Sequence, residues 1–560
     1  MPRCENALVN RTGVVLGLLG CLAASVGFAS RLWDWVLNFD PGFAFTHQPA
    51  PTGFPLTSSV TILLVDGLRL DASRHMPALN ALRGRGADIE AQVGTPSFSR
   101  PGRASIATGA PPAIHGVTTN RQKRALAMDN LIRRVSAMGG TCRVAGSKIW
   151  SGLFGADIAL CGVYREGKGK EGPGMFVSQV PEIRASQTEG LAFILQHPAN
   201  LRIADIISTD FAAHEYGGTS PEYQAEVLRT DQAIADLARR LDLSKETLVV
   251  TADHGHRDVG GHGGAEPEVL AIPVVMVGAG IKPSTTATAT QADIAPTVAA
   301  LLGTALPAGS SGSPIGSVLL ADEGKLTVLR EASALQERAF DQAVADRLGI
   351  RTASEIRDWS ALVHAYREAR MSERTPVALL LAALVIAFTM ASIGFARPDA
   401  VGLTIGVVVG VMAFWGAIRW WLPVMSFSAI NYDELLVPFF VRVAALAAGI
   451  TLVSILTALL AGHLSRGRAN RGSPSSLAGS TGLIGCAALA VAILASWLHH
   501  GLLLPKALPG PDRLVEAYAL TLSLTGVSLT SLLIVAILWA LEAAANERLR
   551  HREFSRGPRP

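Results

Sequence analysis

The stretch Thr247-Leu248-Val249-Val250-Thr251-Ala252-Asp253-His254-Gly255 carries the strongest structural signal in this chain. Its first four residues are apolar or β-branched, which predicts a buried β-strand. Asp253 and His254 then follow the carboxyl end of that strand, where open α/β sheets place their binding sites. His262 lies in the glycine-rich run 260–264, whose residues let the backbone approach a ligand closely. Together these residues predict metal-dependent chemistry at the edge of a sheet.

Two further segments repeat this pattern of a strand followed by polar side chains. Residues 60–65 form an apolar, β-branched run that ends at Asp66, as a central parallel strand would. Residues 202–207 predict another strand, and Asp210 and His214 follow it four positions apart, so both can face the same way on a helical turn.

The sequence therefore offers six candidate metal ligands, which are Asp66, Asp210, His214, Asp253, His254 and His262. They divide naturally into two sets of three that combine carboxylate and imidazole. Oxygen and imidazole nitrogen at low coordination number suit zinc best, with manganese or iron as alternatives. We therefore expect a site for two divalent ions, with Zn2+ as the predicted metal.

The predicted reacting group is Ser99, where a loop rich in proline and glycine meets a predicted helix. A divalent cation stabilises the alkoxide of a serine, and a helix N-terminus offers donors to an incoming anion. Ser97 and Ser105 are nearby alternatives. Arg100 or Arg103 could bind a non-bridging oxygen of phosphate or sulfate.

At this point the motifs resemble a known family. They occur in the order Asp66-Gly67-Leu68-Arg69, Ser99-Arg100-Pro101-Gly102, Asp210 with His214, Asp253-His254-Gly255, Gly261-His262-Gly263-Gly264 and Gln291-Ala292-Asp293-Ile294-Ala295-Pro296-Thr297. This order is similar to the metal and nucleophile motifs of the alkaline phosphatase superfamily. Within this superfamily, the motif sequences most resemble those of the type I phosphodiesterases and of the ethanolamine phosphate transferases of glycosylphosphatidylinositol (GPI) assembly.

The resemblance implies an α/β fold over roughly residues 58–320, with a central, mostly parallel sheet flanked by helices. It implies that Asp210, His214 and His262 hold one metal, that Asp66, Asp253 and His254 hold the other, and that Ser99 lies between them as a nucleophile and metal ligand. Ser99 would take up the phosphoryl group, which then passes to water in a hydrolase or to an alcohol in a transferase. The ligands do not distinguish these two outcomes.

Two alternative functions remain open from the sequence. The pattern Ser99-x-Pro101-x-Arg103 resembles the core of the sulfatase signature, in which a cysteine or serine becomes formylglycine. Three imidazoles favour two transition metals over the single hard cation of a sulfatase. The other alternative is a non-catalytic domain of a membrane assembly, which the complete set of ligand types disfavours.

Composition predicts that much of this chain is embedded in a membrane. Of 560 residues, 49% are hydrophobic and only 17% are charged, and the mean hydropathy is +0.33. We expect six spans, at residues 13–30, 376–396, 400–418, 436–462, 478–498 and 517–541, the first being an uncleaved signal anchor. So many spans suggest a membrane lipid or a lipid-linked phosphoester as substrate. Binding of nucleic acid is not expected, because the sequence has no basic stripe with interleaved aromatic residues.

The distribution of basic residues predicts the topology. With the N-terminus in the cytoplasm, the positive-inside rule is satisfied by Arg397, Arg466, Arg468, Arg471, Arg548, Arg550, Arg552, Arg556 and Arg559. The predicted parts are a cytoplasmic N-terminus (1–12), a signal-anchor helix (13–33), an extracytoplasmic catalytic domain (45–320), a helical connector (321–374), five membrane helices (375–541) and a basic cytoplasmic tail (542–560). The catalytic domain of this multi-pass membrane protein would then lie in a periplasm or secretory lumen. The sequence leaves open whether Cys142 and Cys161 form a disulfide there, and the oligomeric state.

The connector is expected to pack against the catalytic domain. Leu329, Ala332, Leu335 and Phe340 recur at helical intervals, which predicts one buried face.

Overall fold

The computed structural model describes residues 2–167, 176–350, 359–396, 399–421, 426–430, 433–464 and 473–554. Among the basic residues that predict the topology, Arg397, Arg466, Arg468, Arg471, Arg556 and Arg559 lie outside these ranges.

The soluble part is built on one eight-stranded sheet. Its strands are β1 (Ser59–Val65), β2 (Ala87–Gln92), β3 (Cys142–Gly146), β4 (Gly162–Glu166), β5 (Leu201–Ile206), β6 (Glu246–Thr251), β7 (Ala271–Gly278) and β8 (Thr285–Thr290). The spatial order is β4-β3-β5-β1-β6-β7-β2-β8, and only β7 runs antiparallel to its neighbours. The predicted α/β class with a mostly parallel sheet is thus confirmed.

Helices flank the sheet and also form the membrane part. They are α1 (Pro2–Leu37), α2 (Leu70–Ser73), α3 (Pro77–Arg85), α4 (Ser99–Thr108), α5 (Pro112–His115), α6 (Leu131–Ala137), α7 (Lys148–Cys161), α8 (Phe176–Leu195), α9 (Ser208–Tyr216), α10 (Pro221–Arg240), α11 (Pro267–Leu270), α12 (Ile294–Leu302), α13 (Glu323–Leu348), α14 (Trp359–Ala396), α15 (Ala400–Trp421), α16 (Asp433–Leu464), α17 (Pro474–His500) and α18 (Pro511–Phe554).

The central strands follow from their side chains. Every residue of β1 and β5 is buried, as expected for strands covered on both faces. By contrast, β8 at the edge alternates between half-buried and exposed residues, because one of its faces meets solvent. The predicted strands that end before Asp66, Asp210 and Asp253 are β1, β5 and β6, which are neighbours at the centre of the sheet.

Five helices of the described chain are long and apolar enough to cross a membrane, namely Thr12–Leu37, Trp359–Gly394, Val441–Leu464, Pro474–His500 and Pro511–His551. They match five of the six predicted spans. The sixth prediction falls on α15, which contains the shorter apolar stretch Ala400–Phe414. Large apolar side chains on these helices, such as Leu384, Met390 and Met412, are more than half exposed, which is typical of a lipid-facing surface.

Within the predicted connector (321–374), α13 packs on the catalytic domain, and residues 351–358 lie outside the described residues. One residue of the expected buried face was wrong. Leu329 and Phe340 are buried, whereas Leu335 is 59% exposed. Gln336 takes the inward position instead, where its amide donates to the carbonyl of Ala308. Spacings of seven and four residues place 329, 336 and 340 on one helical face, while 335 lies one step off it.

Candidate metal centre

Three neighbouring strands bring the candidate ligands to one edge of the sheet. β1 lies between β5 and β6 in parallel register, with Val65 beside Ile206 and Leu64 beside Thr251. The chain therefore leaves all three strands at the same level, and the residues that follow each strand converge.

The first group of side chains surrounds the Nε2 atom of His254. This nitrogen lies 3.4 Å from Oδ1 of Asp66, 3.6 Å from Oδ2 of Asp253 and 3.1 Å from Oγ of Ser99. All four residues are buried. Four donor atoms so close together form a compact set of oxygen and nitrogen ligands.

The second group contains Asp210, His214 and His262. Oδ1 of Asp210 lies 3.4 Å from Nε2 of His214 and 3.6 Å from Nε2 of His262, and the two nitrogens are 3.0 Å apart. Asp210 and His214 meet because they lie one turn apart on α9. The structure thus brings all six sequence-predicted ligands close together. Asp66, Asp253 and His254 form one cluster of possible metal ligands, and Asp210 and His262 form another that also includes His254 and His256.

The two groups lie side by side. The rings of His254 and His262 stack with centroids 3.6 Å apart and planes 11° apart. The two groups are therefore close enough for one small ligand to contact both.

Hydrogen bonds fix which ring nitrogen is available in His254 and His262. Nδ1 of His254 bonds the carbonyl of Gly255, and Nδ1 of His262 bonds the carbonyl of Ser97, both at 3.1 Å. A carbonyl only accepts, so each Nδ1 carries the hydrogen and each Nε2 presents its lone pair to the centre. Such outer hydrogen bonds are typical of histidines that bind metals.

Burial favours the neutral form of these groups in the metal-free protein. It lowers the pKa of His254 to about 4 and the pKa values of His214 and His262 well below their usual value. Burial also raises the pKa of Asp66 to about 7, although the charge of Arg103 opposes this rise. Oδ1 of Asp66 is buried without a hydrogen-bond partner among the described residues. An unsatisfied carboxylate oxygen beside neutral imidazole nitrogens fits a divalent cation.

Arg103 has a different role from the predicted one. Its side chain is completely buried, and its guanidinium group contacts carboxylates, with Oδ2 of Asp253 at 2.6 Å, Oδ2 of Asp66 at 2.7 Å and Oδ2 of Asp205 at 3.2 Å. These bonds use the donors that a phosphoryl group would need. Of the two arginines that the sequence offers for a phosphate or sulfate oxygen, Arg103 is therefore the one already paired with carboxylates.

Arg100 keeps that possibility. It lies on the first turn of α4, and its Nε is buried without a hydrogen-bond partner among the described residues. Its backbone N–H donates to Oδ1 of Asn120, and Pro101 has no N–H to donate. The start of α4 therefore offers an anion fewer backbone donors than predicted.

The structure also separates the three candidate serines. Oγ of Ser97 bonds the backbone of Gly263 and Gly264, and Oγ of Ser105 lies 3.1 Å from Nε2 of His115, away from the ligands. Only Ser99 of these three has its hydroxyl beside a candidate ligand.

Gly102 allows α4 to approach the metal ligands. A Cβ atom at this position would lie 2.7 Å from Cβ of Asp253 and 2.8 Å from its carbonyl oxygen. These distances are shorter than van der Waals contact, so only glycine lets the helix bring Ser99 this close to the end of β6.

The loop that carries His262 is held on a second side by the membrane part. Ser428, in a short 3-10 helix (Phe427–Ile430) between α15 and α16, accepts a hydrogen bond from the N–H of Gly264 at 2.8 Å and donates to Glu266 at 2.7 Å. The ring of Phe427 lies 5.5 Å from that of Phe98, which is itself 5.8 Å from the ring of His262. Only one aromatic layer thus separates the connection between α15 and α16 from a candidate ligand.

Sequence reasoning missed two polar residues of the centre. His256 is fully buried beside Asp210, and Asp205 in β5 holds Arg103. A second histidine two positions after His254 was a signal for the first. Asp205 gave a weaker signal, since it is a carboxylate inside a buried strand.

Comparison with known proteins bears on this geometry. Residues 60–154 and 182–268 match the model of the family described as type I phosphodiesterase / nucleotide pyrophosphatase. All six candidate ligands and Ser99 lie within these two segments. Over these two segments the soluble domain is similar in sequence to this family.

Curated relatives of this phosphodiesterase-family domain include two human proteins. The human GPI ethanolamine phosphate transferase 2, catalytic subunit, is 28% identical over 280 residues, which cover 46% of this chain and 28% of the relative. The human GPI ethanolamine phosphate transferase 3, catalytic subunit, is 26% identical over 314 residues, which cover 50% of this chain and 28% of the relative. The chain thus matches little more than a quarter of the length of either protein.

Among solved structures, the inactive T72A form of murine ectonucleotide pyrophosphatase / phosphodiesterase 5 in complex with AMP is similar to 44% of this chain. The match covers 96% of that structure, with 13% sequence identity and a TM-score of 0.37.

Proposed function

We propose that this protein is a metal-dependent phosphoryl-transfer enzyme, a phosphodiesterase or a phosphoethanolamine-type transferase, with Ser99 as its nucleophile. The observation that carries the proposal is the position of the Ser99 hydroxyl, 3.1 Å from Nε2 of His254 and within a buried set of Asp and His side chains. That set lies inside the segments that match a phosphodiesterase family.

The chemistry follows from the side chains. Asp66, Asp253 and His254 would hold one divalent ion, most consistently Zn2+, and Asp210, His214 and His262 the other, with Ser99 at the first. When bound, two such ions stabilise charge on the attacking and leaving oxygens and lower the pKa of a coordinated hydroxyl.

The serine takes part in two displacements. Oγ of Ser99 loses its proton and forms a bond to phosphorus, while the bond from phosphorus to the leaving oxygen breaks and that oxygen gains a proton. In the second step water or an acceptor alcohol bonds phosphorus, the bond to Oγ breaks, and Ser99 regains a proton. Arg100 is the residue that we assign to binding a non-bridging oxygen.

We further propose that the substrate is carried by a lipid. Support comes from the short helix at residues 427–430, which joins two membrane-part helices and contacts both the His262 loop and Phe98. Leu504 and Ala507, from the connection between α17 and α18, pack with Phe340 of α13. Both connections thus lie on the side of the soluble domain, which agrees with the alternating spans expected of the sequence. The positive-inside rule then assigns that side to the periplasm or lumen.

We retain the predicted division of the chain into a short cytoplasmic N-terminus, a signal anchor, the catalytic domain (45–320), the connector, the helical bundle and a cytoplasmic tail. The relatives' names state ethanolamine phosphate transfer to GPI, and we propose a related phosphoester reaction here, without assigning donor or acceptor.

The test uses the full chain in lipid nanodiscs. Metal content and release of nitrophenol from a phosphodiester, a phosphomonoester and a sulfate ester would be measured for the wild type and for Ser99→Ala. We expect diester turnover to fall by at least about a hundredfold while the metal content stays the same.

Ser105→Ala is the matched control, because it removes a buried hydroxyl of the same helix outside the centre. Equal diester turnover in wild type and Ser99→Ala would reject the proposed nucleophile. Turnover of the sulfate ester alone, with an aldehyde at position 99, would instead identify a sulfatase.

A further inference from the structure

His256 is a buried imidazole that the proposed mechanism does not use. It follows β6 and has no solvent exposure. Its ring centroid lies 4.6 Å from that of His214 and 5.0 Å from that of His262. It is therefore surrounded by the second group of candidate ligands.

The chain leaves space for this ring at two glycines. A Cβ atom at Gly67 would lie 2.8 Å from Cδ2 and 2.9 Å from Nε2 of His256, and one at Gly218 would lie 3.0 Å from its Cβ. Gly67 also has a φ of 69°, which side-chain-bearing residues rarely adopt. The ring of His256 thus occupies the space that a side chain at Gly67, directly after Asp66, would need.

The hydrogen bonds of His256 differ from those of His254 and His262. Its Nε2 lies 2.7 Å from Oδ1 of Asp210, while its Nδ1 has no hydrogen-bond partner among the described residues. Because a carboxylate accepts, Nε2 carries the hydrogen and donates it. In the other two rings the hydrogen lies on Nδ1, and Nε2 faces the centre.

Distances point the same way. Oδ1 of Asp210 lies 3.4 Å from Nε2 of His214 and 3.6 Å from Nε2 of His262, which leaves room for a cation between this oxygen and the two nitrogens. The distance of 2.7 Å from His256 to Asp210 is that of a charge-assisted hydrogen bond.

We propose that His256 is a positioning residue, which donates its Nε2–H to Oδ1 of Asp210 and fixes this carboxylate for a divalent cation held with His214 and His262. The inference rests on the proposed metal centre. It adds a residue of this chain that orients a ligand without itself binding the metal.

The test measures metal binding rather than turnover. Full-length wild type, His256→Leu and His256→Gln in nanodiscs would be stripped with a chelator and titrated with Co2+, whose visible spectrum reports the ligands. We expect His256→Leu to weaken one of two Co2+ equivalents by roughly 10- to 100-fold and to leave the other unchanged. Glutamine can place an amide N–H near the position of Nε2, so His256→Gln should keep both the affinity and the spectrum of the wild type.

The control is His115→Leu, which removes a buried imidazole bonded to Ser105 outside the centre. Wild-type affinity for both equivalents in His256→Leu would overturn the inference. So would an altered spectrum in His256→Gln, which would make His256 a direct ligand, or loss of both equivalents in His256→Leu. A wild type that binds no Co2+ would instead overturn the proposed metal centre itself.

Discussion

Replacing Arg103 with methionine tests the buried charge network that supports the proposed centre. The guanidinium group has no solvent exposure and contacts carboxylate oxygens of Asp66, Asp253 and Asp205 at 2.6 to 3.2 Å. Methionine keeps an unbranched apolar chain but has no donor, so Arg103→Met leaves these carboxylates without their cation. Removing one partner of a buried ion pair costs about 3–5 kcal/mol.

This cost should appear as a lower melting temperature, and the decrease should depend on pH. A change of 1 kcal/mol shifts the melting temperature of a domain of this size by roughly 2–4 °C, so the catalytic domain should melt about 6–20 °C lower. Burial raises the pKa of Asp66 to about 7 and also raises that of Asp253, while Arg103 lowers both. Without Arg103 these carboxyls bind protons more readily, so the loss should be smaller at pH 5 than at pH 8.

The assay is thermal unfolding of the full chain in nanodiscs, with chelator and with saturating Zn2+. A bound cation would supply positive charge at the same oxygens, so Zn2+ should reduce the loss. Arg103→Lys should lose less, because it keeps the charge. Adding Asp205→Asn to Arg103→Met should restore part of the stability, since the amide oxygen can still accept from Nε1 of Trp150.

Arg239→Met is the control, because this exposed arginine pairs only with exposed Asp236 among the described contacts and should change stability by less than about 1 kcal/mol. The reasoning about Arg103 fails if Arg103→Met with chelator melts within about 2 °C of the wild type at pH 8, which corresponds to at most about 1 kcal/mol. It also fails if the loss is equal at pH 5 and pH 8.

Three further predictions follow from contacts at and near the centre. Without metal, the pKa of Asp66 is about 7 and that of His254 about 4, so at pH 6 Asp66 is mostly protonated and His254 is neutral. Zn2+ binding at pH 6 should therefore release about one proton, and the affinity should fall up to about tenfold per pH unit below 7. Calorimetry in buffers of different ionisation enthalpy measures this release, and no release would contradict the prediction. Gly102→Ala should lower diester turnover more than Gly155→Ala, where a Cβ meets no atom within 4 Å, and equal rates would contradict the close approach to Asp253. Cys142 and Cys161, whose buried sulfur atoms are 2.7 Å apart, should resist alkylation after denaturation without reductant if the domain is extracytoplasmic, and labelling of both would contradict this.

The sequence predicts those parts of the fold that local patterns determine. The runs before Asp66 and Asp253 are apolar and β-branched, so both the strands and the location of the carboxylates could be predicted. The helical spacing of Asp210 and His214 predicts that they face the same way. Convergence of the three segments followed from the rule that parallel strands present their carboxyl ends together.

The remaining features depend on contacts between distant segments. Nothing in residues 271–278 indicates that β7 runs antiparallel to both neighbours, because a buried apolar strand has the same pattern in either direction. Arg103 contacts carboxylates from three strand ends, which only the assembled sheet brings together. His256 follows the predicted motif directly, yet its bond to Asp210 depends on the position of α9.

The hydrogen bond between Ser428 and Gly264 connects the proposed centre to the physical state of the bilayer. Helices adjust to membrane thickness by tilting, and the short helix that bears Ser428 lies between two of them. A thicker or thinner bilayer would therefore shift the hydroxyl that holds the peptide two residues after His262. The same enzyme would then have different rates in vesicles of short-chain and long-chain phospholipids.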